Sequence, residues 1–191
     1  MPGWILIALA LVTFVLWLKY GLDMVLGMRH VPKLAAFPPL EAEQLPSLSI
    51  VFAARDEALK IEAATLSLLA MDYPSLEIIA VNDRSSDDTG DILDQLAAKD
   101  RRLRVIHVDS LPDGWLGKTN GLQQGFLATS GDYLLFTDAD VHFSRDALRR
   151  AIHYMQKYDV AHLTVPPKII NAKPSLKIML PAFAISFFLN M

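Results

Sequence analysis

Two carboxylates one residue apart, Asp138 and Asp140, follow the short apolar run Tyr133-Leu134-Leu135-Phe136. Side chains two positions apart in extended backbone point to the same side. The pair can therefore converge on one divalent ion, or on an ion and its ligands, at the end of a buried strand. Two further polar clusters follow apolar runs in the same way: Arg55-Asp56-Glu57 after Leu48 to Ala54, and Asn82-Asp83-Arg84-Ser85-Ser86-Asp87-Asp88-Thr89 after Leu76 to Val81. Asp83 stands where a carboxylate can accept a hydrogen bond from a heterocyclic N–H, and it comes too early to cap the next helix, a role that suits Ser85 and Ser86. Lys118 lies among Gly114, Gly117 and Gly121, which let backbone approach a ligand closely while the ammonium offsets anionic charge. An ordinary exposed lysine is the plainer reading of that position. His107 and His142 are isolated histidines and read as structural, although His142 follows the aspartate pair closely.

The elements that must position these residues alternate. Strands are expected at 48–53, 76–81, 103–108 and 133–136, with helices between them on the apolar spacing of Ile61, Ala64, Leu68 and Leu69, of Ile92, Leu93 and Leu96, and from Leu116 to Ala128. A further helix is expected from Ser144, its N-cap, with Asp146 in the first turn, and one more strand from Val160 to Val165. Near-continuous apolar strands joined by helices predict an α/β fold, a mostly parallel sheet covered on both faces. In such sheets ligands bind beyond the carboxyl ends of the strands, so the polar clusters would meet at one edge.

The chain of 191 residues is 52% hydrophobic, carries a formal net charge of -3 and contains no cysteine. Disulfide and thiolate chemistry are excluded, and without a basic tract no nucleic-acid partner is expected. Residues 4–18 carry no charge. Extended through Leu22, a helix there reaches roughly 28 Å, enough for a hydrocarbon core, with Trp4, Trp17 and Tyr20 at interfacial positions. Residues 1–28 are thus read as a transmembrane anchor rather than a signal peptide, which would need a basic start and a small-residue cleavage site. Lys19, Arg29, His30 and Lys33 follow the span, so the rest of the chain is expected in the cytoplasm. Residues 29–47, rich in proline, read as a linker, and 48–170 as the ligand-binding domain. Residues 171–191, strongly apolar and broken by Pro181, read as an interfacial segment or the start of another span at which the chain is cut off.

Taken together, Ala54-Arg55-Asp56-Glu57, Asn82-Asp83-x-Ser85-x-Asp87-x-Thr89, Gly117-Lys118-x-x-Gly121-Leu122-x-x-Gly125 and Asp138-Ala139-Asp140 resemble, in order and rough spacing, the family 2 glycosyltransferases with a GT-A fold. The resemblance covers about Leu48 to Val165. The run Leu111-Pro112-Asp113-Gly114-Trp115-Leu116-Gly117-Lys118 with a late apolar stretch is similar to a membrane-bound, hopanoid-associated or ceramide-glucosyltransferase-like branch. The resemblance implies inverting, metal-dependent transfer of a sugar from a nucleotide-diphosphate donor to an acceptor hydroxyl. It implies that Asp140 binds Mn²⁺ or Mg²⁺ directly, that Asp138 contacts the ribose or a metal-bound water, and that Asp83 binds the base. Ala54, Arg55, Glu57 and Lys118 join the nucleotide-sugar site on the same ground. The family normally has asparagine where Asp56 stands, so the role falls to Glu57. The tether and the apolar end suggest a lipid acceptor.

Inverting transfer also needs an acidic residue to take the acceptor proton. In the family this residue lies well past the aspartate pair, and neither Asp146 nor Asp159 has the expected surroundings. The general base is therefore not identified, and the chain reads as the donor half of an active site, an N-terminal portion of an enzyme. The rival is a catalytically incompetent nucleotide-sugar-binding module. A nucleotidyltransferase would want a glycine-rich, basic phosphate loop after the first strand, and Arg55-Asp56-Glu57 is too acidic for one.

Overall fold

A computed structural model describes residues 2–30 and 32–166. The expected segment 171–191 lies outside them. The chain divides into two compact units, one holding the N-terminal residues to Ala36 and the other running from Phe37 to Thr164. In the first, α1 (Gly3–His30) is a single 28-residue helix. Its portion Gly3–Asp23 is long and apolar enough to cross a membrane, and none of it is buried against protein. Lys19 and Asp23 pair at i, i+4 with 2.7 Å between charged atoms.

The second unit is built on four parallel strands, β1 (Leu48–Ala54), β2 (Leu76–Asp83), β3 (Leu103–Val108) and β4 (Tyr133–Phe136), in the order β3-β2-β1-β4. Side-chain alternation divides the core. Leu48, Ile50, Phe52 and Ala54 of β1 and Leu76, Ile78 and Ala80 of β2 pack under α2 (Ala58–Leu69), α3 (Thr89–Ala97) and α5 (Ala147–Tyr158). Val51, Ile79 and Val81 face the other way, onto α4 (Gly117–Leu127). Helices thus cover both faces of the sheet, as apolar strands without a polar face require.

α4 lies close because its sheet-facing row is glycine. A methyl on Gly121 would come within 2.9 Å of the Ala53 side chain, and one on Gly125 would strike Val51. The loop into β4 is fixed by Glu77. Its carboxylate accepts hydrogen bonds from the Ser49 hydroxyl, the Ser130 amide and hydroxyl (3.0 Å) and the Gly131 amide (3.2 Å). Burial acts to raise the Glu77 pKa, but these donors outweigh it and hold the carboxyl below its ordinary range. A depressed folded-state pKa gives stability that is fully present above the unfolded value and is lost as pH falls through the folded one. Glu77→Gln is therefore expected to lower stability by about 1–3 kcal/mol at pH 7 and to flatten its dependence on pH below about 4.5. Urea unfolding at pH 7, 5 and 3 measures both, and a parallel pH profile in the variant would rule the clamp out.

Three expectations need correction. The compact unit begins at Phe37, inside the expected linker. Phe37 is 5% exposed, and its ring packs edge-on against Tyr154 at 5.1 Å. The carbonyl of Leu40 accepts from Arg149 Nε at 2.6 Å, that of Pro38 from His153 at 2.7 Å, and that of Phe37 from Arg150. α5 starts at Ala147, with Asp146 at its N-cap, because Ser144 is taken up in a turn whose carbonyl accepts the Ala147 amide. Residues 160–165 form no strand. The αL cap at Asp159 turns the chain after α5, and nothing among the described residues pairs with it.

Candidate functional site

In the strand order β3-β2-β1-β4 the chain winds outward from β1 through β2 to β3 and then crosses back to lay β4 on the other side of β1. The switch point lies between β1 and β4, where the connections leave in opposite directions and open a crevice at the carboxyl ends. A cavity of about 530 Å³ lies there. It is lined by Ala54, Arg55, Glu57, Asp83, Lys118, Asp138 and Asp140, all seven residues singled out from the sequence. Arg84, Leu111, Trp115 and Leu116 complete much of its wall. A second cleft of about 580 Å³ at the amino ends of the strands lies next to Glu77, whose carboxylate is already filled by the loop into β4.

The carboxylate pair reaches this cavity by a turn rather than by an extended strand. The Thr137 amide still donates to Val51 across the sheet (3.1 Å), and the chain then bends so that the Val141 amide approaches the Asp138 carbonyl at 3.4 Å. Each carboxylate has a lysine from the first turn of a helix: Lys118 of α4 donates to Asp138, and Lys60 of α2 stands 3.5 Å from Asp140. Lys60 was not singled out from the sequence. Its place in the first turn of α2 gives no sign that the turn after β4 returns to it. Among the described residues no three His, Cys, Asp or Glu side chains converge. Two carboxylates, each about half exposed and each beside an exposed lysine ammonium, are hard oxygen donors of the kind a divalent cation takes. His142 is exposed and lies outside the cavity lining.

The loops after β1 and β2 are laced together. Asp56, in left-handed backbone at φ 53°, accepts from the Ser86 amide (2.7 Å) and hydroxyl (3.1 Å), while its own amide donates to the Ser85 hydroxyl. The serines are thus held by Asp56 rather than capping α3, whose N-cap is Asp88 without a side-chain cap, and Asp87 instead serves the first amides of two helices. That carboxylate accepts from the Thr89 amide and, across the loops, from the Ala58 amide at the start of α2 (3.1 Å). The Thr89 hydroxyl bond, foremost, and these amides keep Asp87 below the ordinary carboxylate range. Glu57 is held at the cavity by its amide bond to the Thr89 hydroxyl (2.8 Å).

Asp83, the last residue of β2, is 3% exposed. Arg84 folds back on it, Nε to Oδ1 at 2.7 Å and Nη2 to Oδ2 at 3.0 Å, and this bond raises the already high Arg84 pKa. A methyl on Gly117 would fall 2.6 Å from both partners, so glycine at the start of α4 makes room for the pair. Behind it, Asn82 Nδ2 donates to His107 Nδ1 (3.1 Å), leaving Nε2–H to donate to Asp94 (3.1 Å). His107 thus supports the loop, as read from the sequence. On the far wall the Trp115 amide closes a turn on the Pro112 carbonyl (3.2 Å), with Gly114 at φ 81° in the third position, where a type II turn needs it. Asp146, weighed as a general base, is engaged by Arg150 at 2.6 Å, which holds its carboxyl below the ordinary range.

A parallel sheet with laced β1 and β2 loops, a buried aspartate at the end of β2 and a carboxylate pair at the switch point defines the GT-A class of α/β protein. The chain belongs to glycosyl transferase family 2, whose family model matches residues 49–185. It is 31% identical over 173 residues to a beta-monoglucosyldiacylglycerol synthase of Trichormus variabilis, covering 87% of this chain and 36% of that one. It is 32% identical over 110 residues to a poly-beta-1,6-N-acetyl-D-glucosamine synthase of Staphylococcus aureus, covering 58% and 26%. Among solved structures, the mannosyltransferase PcManGT of Pyrobaculum calidifontis, in complex with GDP-Man and Mn²⁺, superposes with a TM-score of 0.61 at 22% identity over 78% of this chain and 42% of that chain. S. aureus TarS 1-349 in complex with UDP-GlcNAc gives 0.51 at 20% identity over 66% and 38%. The chain spans about a third of the length of the synthase relatives it matches.

Proposed function

We propose that this chain holds the donor of a glycosyltransferase that moves a sugar, with inversion, from a nucleotide-diphosphate sugar to an acceptor hydroxyl of a lipid at the cytoplasmic face of a membrane. The observation that carries the reading is the gathering of Ala54, Arg55, Glu57, Asp83, Lys118, Asp138 and Asp140 around one cavity at the switch point. Asp83 accepts a base N–H, and Arg55 and Lys118 supply positive charge along the diphosphate. Asp140, with Asp138, holds Mn²⁺ or Mg²⁺, an ion that when bound stabilises the charge developing on the leaving diphosphate. PcManGT, bound to GDP-Man and Mn²⁺, supports a nucleotide sugar and a divalent ion at such a site. The diacylglycerol-based relative supports a lipid acceptor. In this reading α1 anchors the domain through Gly3–Asp23, supported by the length and apolarity of that span, and the basic residues after it support a cytoplasmic domain.

A nucleotide-sugar-binding module without transferase activity is the alternative, favoured by the engagement of Asp146 with Arg150. Incubating the full chain in detergent with radiolabelled UDP- and GDP-sugars, Mn²⁺ and a total lipid extract is expected to label the organic phase. Label on water-soluble acceptors alone would sink the lipid reading, and donor binding with no transfer to any acceptor would favour the module.

A further inference from the structure

The cavity wall sets four carboxylates, Glu57, Asp83, Asp138 and Asp140, against three cations, Arg55, Arg84 and Lys118. On its own it is net negative, which suits a divalent ion and opposes a diphosphate. Lys60 restores the balance from outside the wall, reaching it only through Asp140, 3.5 Å from its ammonium. That position does little for the fold. The first turn of α2 carries no acidic residue, and a cation there stands against the positive end of the helix dipole. The ion pair is weakly held as well: its side chains are 59% and 48% exposed, and exposed pairs of this kind exchange partners at little cost. The backbone beneath is fixed. The Glu57 amide donates to the Thr89 hydroxyl (2.8 Å), the Ala58 amide to Asp87 (3.1 Å) and the Lys60 amide to the Glu57 carbonyl (2.9 Å). A pinned Cα thus carries a loosely held ammonium on a flexible stem at the edge of the cavity.

We infer that Lys60 is an exchangeable counter-ion that couples the divalent ion to the nucleotide: it neutralises Asp140 until the ion takes that carboxylate, and then turns its charge to the diphosphate. While it covers Asp140, Lys60 competes with the ion. Once displaced, it brings a further positive charge to the phosphates, on a wall whose Arg84 is committed to Asp83 by two hydrogen bonds. Each ligand therefore readies the site for the other, and by linkage the factor is the same in both directions. The inference rests on reading the cavity as a metal-dependent nucleotide site.

Two titrations of the full chain in detergent test it: Mn²⁺ alone, followed by the paramagnetic resonance signal of the unbound ion, and UDP, or GDP where UDP does not bind, followed by calorimetry in EDTA and in saturating Mn²⁺. Lys60→Ala is expected to tighten Mn²⁺ alone by about threefold or more, because a competing cation is gone. It should weaken the nucleotide in both conditions, by about threefold more in Mn²⁺ than in EDTA, so that the coupling between the two ligands falls by the same factor. Lys60→Arg, which keeps the charge, should stay within about twofold of wild type throughout. Circular dichroism melts of both variants should match wild type, since the exposed pair contributes little to the fold. Mn²⁺ affinity unchanged or weakened by the alanine would overturn the inference. So would nucleotide weakened equally with and without Mn²⁺, because Lys60 would then be a fixed charge that never changes partner. Either result leaves the nucleotide site itself intact, whereas a wild-type chain that binds neither Mn²⁺ nor nucleotide overturns both readings.

Discussion

Replacing Asp140 by asparagine is expected to lower the Mn²⁺-dependent affinity for UDP or GDP by at least about a hundredfold, beyond the ten- to hundredfold typical of residues one step removed from an ion. Metal-free binding should stay within about threefold, since Asp83, Arg84 and Lys118 are untouched. The substitution keeps the shape of the side chain and removes its charge, which is the property a hard divalent cation needs. Its cost to the fold is small: Asp140 is 48% exposed, its ionic partner is Lys60 at 3.5 Å, and exposed pairs of this kind contribute about 0–1 kcal/mol. A thermal melt within a degree or two of wild type would therefore accompany the loss. Calorimetry with and without Mn²⁺ separates the outcomes. Equal weakening in both conditions would mean that Asp140 meets the nucleotide directly and that the ion, if bound, sits elsewhere.

The part of this site legible in the sequence was its membership. Glu57 and Asp83 could be placed because β1 and β2 are near-continuous apolar runs buried on both faces, so their ends are plain and the polar residues there must lie at one edge. Pairing was not legible. That Asp56 would lace to Ser86 and that Arg84 would turn back on Asp83 depends on left-handed backbone at two residues other than glycine, enforced by contacts from β3 and α4 that no local pattern records. The turn carrying Asp138 and Asp140 hides for a related reason. β4 is short, at the sheet edge, with Leu134 and Phe136 36% and 49% exposed, and nothing in its sequence says where extended backbone stops. The segment 37–47 was misplaced because proline erases periodicity, whereas its attachment to α5 runs through its carbonyls and the Phe37 ring.

Gly131→Ala should produce the largest loss of stability, about 3–5 kcal/mol, through overpacking plus lost hydrogen bonds to a charged acceptor. A Cβ on Gly131 would sit 2.6 Å from the Ser49 hydroxyl, 2.7 Å from the Ser49 amide nitrogen and 2.9 Å from the Leu48 carbonyl carbon. Two of those atoms are backbone of β1, which is held between neighbours on both sides by the Leu48↔Leu76 and Leu48↔Tyr133 registers. β1 cannot give, so the loop must lift. Lifting it breaks the Gly131 amide bonds to Ser49 (2.8 Å) and Glu77 (3.2 Å) and loosens β4 at its first residue. The loss then travels to the site, because β4 has only β1 to pair with among the described residues and carries the Asp138–Asp140 turn at its other end. Urea unfolding followed by tryptophan fluorescence measures the first effect, and UDP titration below the transition measures the second. A variant within 1 kcal/mol of wild type would show that the loop shifts without strain, and would remove Glu77 and Gly131 from the devices that position the carboxylates.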